Sequence, residues 1–234
     1  MSLVEFRNVS FSYANSKQNT LNNISFSLDY GQIVGLLGPN GSGKTTIMKT
    51  IVGLLKNFKG EIFIDGQQIG PETKNIVSYL PDFTYLDEKQ KISTVMNFFA
   101  DIYSDFDRNK MEQILQSMDI STNSFIKTLS KGNKEKLQLA LVLSRNAKVY
   151  VLDEPIGGVD PVQRDFILHT IISNYAQNSL VIISTHLIED VESILNHALF
   201  IKNGNIVIND TVESIKKQFD KTTLNDVFKE VFKC

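Results

Sequence analysis

Apolar and polar positions alternate from about Leu3 to Phe11 and again from Ile24 to Leu28, which predicts strands with one buried face. "IVGLL" (Ile33–Leu37) has no polar position, so it reads as a strand buried on both faces. A glycine-rich loop follows, then a helix to about Leu55. "GEIFIDGQQI" reads as strand, Asp-Gly turn, strand. After "IVSYLP" (Ile76–Pro81) the period changes: from about Ile92 to Arg145, "TVMNFFADIY", "MEQILQSM" and "EKLQLALVLS" carry apolar residues at helical spacings of three and four. Strand–helix alternation then returns. Val149–Asp153 is a strand, Val162–Tyr175 a helix, Leu180–Ser184 a strand and Glu189–Leu195 a helix, and "ALFI" and "IVI" are closing strands. "TLNDVFKEVF" is a short amphipathic helix.

Alternating strands and helices imply an α/β fold with a mostly parallel sheet. The expected organisation is a core over 1–81 and 146–212 with an N-terminal antiparallel β subdomain, an inserted α-helical subdomain over 82–145, and a helical tail over 213–234. The 234 residues, 42% hydrophobic and 21% charged, fit a soluble globular chain. A net charge of −2 gives no global pull toward nucleic acid, so any phosphate site must be built locally. The only cysteine is Cys234, which leaves no internal disulfide and fits a reducing compartment. "MSLVEFRNVSFSY" lacks a basic-then-apolar leader pattern. The longest apolar runs fall far short of the ~20 residues of a membrane helix, so no span is expected.

"GLLGPNGSGKTT" contains G-x-x-x-x-G-K-[ST], placed between a buried strand and a helix. Gly38, Asn40, Gly41, Ser42, Gly43, Lys44, Thr45 and Thr46 make up this phosphate-binding stretch. The glycines let backbone N–H groups turn toward phosphate oxygens, Lys44 places a point charge on the outer phosphates, and the Thr45 hydroxyl suits Mg²⁺. In "VYVLDEP", Asp153 ends an apolar strand where a carboxylate can hold Mg²⁺, and Glu154 is placed to orient an attacking water. Adjacent buried carboxylates are costly unless a cation or a reaction uses them. His186 follows another central strand, at the edge where open α/β sheets bind ligands, and there it can reach a γ-phosphate. Far downstream of the loop, "LSKGNKEKLQLAL" (Leu129–Leu141) opens a helix with serine, glycine and lysines. Taken alone it is either an anion site at a helix N-terminus or an ordinary cap, with Ser130 capping and Glu135 in the first turn.

Assembled, these residues resemble an ABC-type ATPase with a P-loop NTPase core, the nucleotide-binding subunit of a transporter, over essentially the whole chain. The resemblance implies ATP and Mg²⁺ as ligands, Tyr13 stacking on adenine, Asp160 in "GGVDP" crossing to a partner subunit and His186 as the switch histidine. It reads "LSKGN" as the family signature, usually Leu-Ser-Gly-Gly-Gln, with Ser130 and Gly132 touching the γ-phosphate of ATP held by a second ABC ATPase subunit. That subunit is either an identical or a paralogous chain. The other implied partner is a transmembrane permease, which puts this chain in the cytoplasm, peripheral on the cytoplasmic face of the cell membrane; nucleic acid is not expected.

Two motifs depart from the family pattern. The signature carries Lys131 for its first glycine and Asn133 for its glutamine, and "YLPDF" places Asp82 where a glutamine usually contacts metal and water. Asp82 there adds negative charge beside the γ-phosphate. The aromatic-rich stretch from Pro81 to Asp107 has two readings that the sequence does not separate, subdomain core and, through an exposed subset, the cleft that the resemblance implies for a permease helix. The ending resembles ATPases of bacterial exporters of drugs, peptides or lipids, and "LSKGNKEK" and "YSDFD" look most like peptide-exporter subunits of the phenol-soluble-modulin type. A cytosolic ABC ATPase working on an iron–sulfur assembly scaffold shares the same motifs. A chromosome-type ATPase would need a long coiled coil, and a GTPase an Asn-Lys-x-Asp element; the sequence has neither.

Overall fold

A computed structural model describes residues 2–14, 16, 18–176 and 178–233, with the side chain of Val162 left out; Cys234 lies outside the described residues. Two sheets organise the chain. The first is antiparallel, in the order β2 (Leu21–Asp29), β1 (Ser2–Phe11), β4 (Lys59–Ile64) and β5 (Gln67–Gln68). The β4–β5 turn carries Asp65 and Gly66 at φ 52° and 74°, the left-handed pair that a tight hairpin needs. The second sheet runs β10 (Asn205–Thr211), β9 (His197–Lys202), β3 (Ile33–Leu37), β8 (Leu180–Ser184), β7 (Val149–Asp153) and β6 (Val77–Leu80). All its neighbours are parallel except β10 with β9.

The continuous apolar strands have partners on both faces. Val149 and Val151 of β7 point into a cluster shared with Phe6, Ile24 and Leu28 of the first sheet, together with Ile47, Met48 and Ile51 of α1 (Lys44–Ile51). Tyr150 and Leu152 point the other way, into a cluster with Leu137, Leu141 and Leu143 of α5 (Lys131–Leu143), Met96 of α3 (Ile92–Ile102) and Met111 and Leu115 of α4 (Arg108–Ser117). The second cluster also takes in Ile167 and Ile171 of α6 (Pro161–Asn174), Ile188 of α7 (Ile188–Val191), Ile215 of α8 (Val212–Phe219) and Leu224 and Val227 of α9 (Leu224–Phe232). The α/β class with a mostly parallel sheet is therefore the observed one.

Three local expectations change. The helix after the glycine loop stops at Ile51 rather than near Leu55, because Gly53 takes φ 69° and its N–H bonds Thr50 O. The helix expected over Glu189–Leu195 divides into α7 and a 3₁₀ turn at Glu192–Ile194. Glu135 is not in the first turn of α5, which holds no acidic residue; it lies one turn in and meets Lys131 at 3.9 Å. A short helix α2 (Pro71–Asn75) also stands between β5 and β6, where the pattern gave no signal.

Arg145, just past α5, joins the helical region to the sheet. The residue is 2% exposed, and its guanidinium donates to Val77 O at 2.7 Å and to Asn75 O, pairs with Asp105 at 2.9 Å, and lies 3.8 Å from the Tyr103 ring centroid. Arg145→Ala leaves those carbonyls and Asp105 without this partner. The variant is expected to lose about 3 kcal/mol, read from its denaturant midpoint against the unaltered chain.

Candidate nucleotide site

The loop between β3 and α1 is set by its glycines. A Cβ on Gly38 would stand 2.4 Å from Ile201 O and 2.7 Å from Ser42 Oγ, so no other residue fits. Gly43 precedes α1 at φ 114°. No side chain caps α1 and no acidic residue lies in its first turn, so its leading N–H groups and dipole face the cleft uncompensated. Lys44 is buried, with Nζ donating to Gly38 O at 2.7 Å and Pro39 O at 3.2 Å. Burial lowers its pKa, while Glu154 and Asp153 push it back up.

A cleft of about 340 Å³ opens over this loop, bounded by Tyr13, Thr20, Asn40, Lys44, Asp82 and Asp153, among others. Tyr13 stands at its mouth, edge-on to Phe11 with centroids 4.9 Å apart and its hydroxyl 3.3 Å from Thr46 Oγ1. Asp153 ends β7 at 2% exposure. Its Oδ1 accepts from Ser184 Oγ, and its Oδ2 is buried with no hydrogen-bond partner among the described residues. Burial raises its pKa most; the Ser184 and Thr45 side chains hold it down, and Asp82 and Glu154 raise it further. Among the described residues no three acidic, histidine or cysteine side chains come together as a metal cluster, but an orphaned buried carboxylate oxygen near the Thr45 hydroxyl is an oxygen pair that fits a hard divalent cation also bound by phosphate and water.

Glu154 takes φ 50°, a strained conformation for a non-glycine residue. It is held there by its N–H, which donates to Ser184 O and Ser184 Oγ, both at 3.1 Å. The turn aims its carboxylate at His186, whose Nδ1 lies 3.2 Å from Oε1 and 3.1 Å from Oε2.

The structure thus gathers Tyr13, the glycine loop, Asp82, Asp153 and Glu154 in one cleft, with His186 joined through Glu154. Ser130, Gly132 and Asp160 do not line it. They group elsewhere: Ser130 caps α5 by accepting from Asn133 N at 3.3 Å, Asp160 caps α6 by accepting from Gln163 N at 3.1 Å, and Gln163 Oε1 comes 3.2 Å from where a Gly132 Cβ would stand. Both readings of Ser130 therefore start from a real cap.

Sequence reasoning missed Ser184, which bonds the Asp153 carboxylate and the Glu154 backbone N–H; its signal was a polar residue ending an apolar strand. It also missed Gln138. This buried α5 residue accepts from Tyr85 N at 3.0 Å and donates to Phe83 O at 3.3 Å, tying the Asp82 loop to α5. The aromatic stretch divides: Phe99 and Phe106 pack on the core, whereas Phe83 and Phe98 are 59% and 60% exposed. These two, with Leu54, Tyr85 and Ile102, line an apolar groove of about 680 Å³ whose charged lining residues are Lys49, Lys74 and Arg145.

A strand–glycine loop–helix with a buried lysine and an acidic strand end two strands away defines a P-loop NTPase. The family model described as ABC transporter matches residues 21–157. An uncharacterised ABC transporter ATP-binding protein of Methanocaldococcus jannaschii is 31% identical over 207 residues, covering 85% of this chain and 74% of its own. The lipopolysaccharide export system ATP-binding protein LptB of Haemophilus influenzae is 28% identical over 98% of this chain and all of its own. The SkfA peptide export ATP-binding protein SkfE of Bacillus subtilis is 30% identical over 88% of each. A solved structure titled as the ATP binding subunit of an ABC transporter superposes at TM-score 0.88, with 27% identity, over 99% of this chain and 100% of that one. The chain belongs to the ABC transporter family, as an ATP-binding subunit of a family that hydrolyses ATP. Among the described residues, no helix is long and apolar enough to cross a membrane.

Ser184→Ala removes the partner of Asp153 Oδ1 and one acceptor of Glu154 N–H. It is expected to cost about 1–3 kcal/mol of stability, and a thermal melt with and without Mg-ATP measures the loss.

Proposed function

We propose that this chain is the ATPase of an exporter, closing as a two-fold dimer around two ATP and driving a separate permease. The observation that carries the reading is the division of the site residues into two groups. One lines a single cleft over the glycine loop. The other, Ser130, Gly132 and Asp160, lies at two capped helix starts that do not line the cleft of their own chain. A two-fold arrangement gives the second group a role, by presenting it to the nucleotide of the other subunit.

In this mechanism the N–H groups of the glycine loop and Lys44 hold the outer phosphates, and Tyr13 stacks on the base. Thr45 and Asp153 would hold Mg²⁺, which neutralises charge on the phosphates when bound. Glu154 accepts a proton from the attacking water. His186 keeps the Glu154 carboxylate aimed through Nδ1. The groove lined by Leu54, Phe83, Tyr85, Phe98 and Ile102 is the seat of a permease helix, because apolar side chains concentrated in one hollow favour a helix laid along it. Gln138 links that groove to the cleft, since it bonds Phe83 and Tyr85 while Asp82 lies next along the chain. The names of LptB and SkfE support export; a peptide cargo moved toward the outside is the narrower reading, on a cytoplasmic membrane face.

Two variants test the division of labour. Lys44→Ala is expected to weaken ATP binding to the single chain at least tenfold, the loss of more than about 1.4 kcal/mol of phosphate interaction. Ser130→Ala is expected to leave that binding unchanged and to lower steady-state turnover about tenfold or more. Equal loss of monomer affinity in both would place Ser130 in its own chain's site and contradict the two-fold reading.

A further inference from the structure

His186 has little to hold it. Its side chain is 60% exposed, and among the described residues its hydrogen-bond partner is the Glu154 carboxylate. The imidazole therefore stands where the backbone puts it. Upstream, β8 and the buried Thr185 fix the chain, with Thr185 Oγ1 accepting from Leu187 N at 3.0 Å. Downstream lies α7, four residues long, and a single helical turn does not persist on its own hydrogen bonds. Its place must come from what packs on it.

Three elements do so. Arg164 of α6 donates from Nη1 to Asp190 Oδ2 at 2.8 Å. Asn225 of α9 donates to Glu189 Oε1. Glu192, the first residue after α7, accepts from Leu224 N at 2.9 Å through Oε2 and pairs with Lys216 of α8 through Oε1. Beneath these polar contacts, Ile188 and Val191 pack in the same buried cluster as Ile215, Leu224 and Val227. Glu192 is only 15% exposed, and it satisfies an otherwise unpaired N–H in the first turn of α9. It is thus the point where the two terminal helices grip the segment that carries His186. None of the residues of α8 or α9 lines the nucleotide cleft.

We infer that α8 and α9 hold His186 against Glu154 through α7, with Glu192 as the positioning residue, so that the terminal helices set the rate of hydrolysis without touching the nucleotide. This rests on the reading of Glu154 and His186 as the hydrolytic pair. Displacing α9 from Glu192 slows turnover and leaves ATP affinity alone, because the loop that binds phosphate is anchored separately on β3 and α1.

A double-mutant cycle on the full chain tests this, with turnover, KM for ATP and equilibrium ATP binding as readouts. Glu192→Ala is expected to lower kcat about tenfold with KM and binding unchanged. Glu192→Gln, which keeps an acceptor for the Leu224 N–H, recovers most of that loss. In a His186→Ala background, Glu192→Ala is expected to lower kcat by less than about twofold more, because the side chain it positions is gone. An equal drop in both backgrounds would overturn the inference and leave Glu192 as general support for the fold. Wild-type turnover in His186→Ala alone would instead overturn the hydrolytic reading of His186, and the inference with it. Should Glu192→Ala fail to fold, Asn225→Ala goes through the same cycle with the same deciding outcomes.

Discussion

A carboxylate buried at the end of a central strand is the constraint around which this molecule is arranged. Asp153 is 2% exposed and has one oxygen bonded to Ser184 and the other without a partner among the described residues. An anion in that position is costly unless something positive meets it, and its raised pKa records the cost. The surroundings supply relief on the side facing the glycine loop: the Lys44 ammonium, the Thr45 hydroxyl and the uncapped start of α1. The strand order makes this possible. Because β3 and β7 both pair with β8 in parallel, the glycine loop and the acidic end arrive at the same edge of the sheet.

The same edge also carries backbone strain. Glu154 adopts a left-handed backbone immediately after the buried aspartate, and its N–H is caught twice by Ser184. Without that turn the side chain would continue the alternation of β7 and point into one of the two apolar clusters. The strain is offset by the core around it: five consecutive buried residues in β7 and five in β8 fix the frame on which the turn is mounted.

What could be read from the sequence was what depends on near neighbours. The strand, glycines, lysine and threonine of the phosphate loop are contiguous, so their pattern survives without knowledge of the fold. The polar end of "VYVLD" and the histidine after "LVIIS" are local signals of the same kind. The roles that remained hidden depend on register between distant strands. Ser184 stands opposite Asp153 only because β7 and β8 pair as they do, and Gln138 meets the Asp82 loop across more than fifty residues. The early end of α1 was missed because Gly53 looks like a tolerable helix residue until its positive φ is known. The division at Glu192 was missed because apolar spacing is the same in a helix and in a helix followed by a 3₁₀ turn.

The central claim is that catalysis needs two chains, each completing the other's cleft. Sedimentation velocity of the Glu154→Gln variant, with and without Mg-ATP, tests it most directly. The account predicts a single-chain species without nucleotide and a two-chain species with it, which Ser130→Ala weakens when added to the same variant. A Glu154→Gln chain that binds ATP yet remains a single species at high protein concentration would contradict the account for an identical pair.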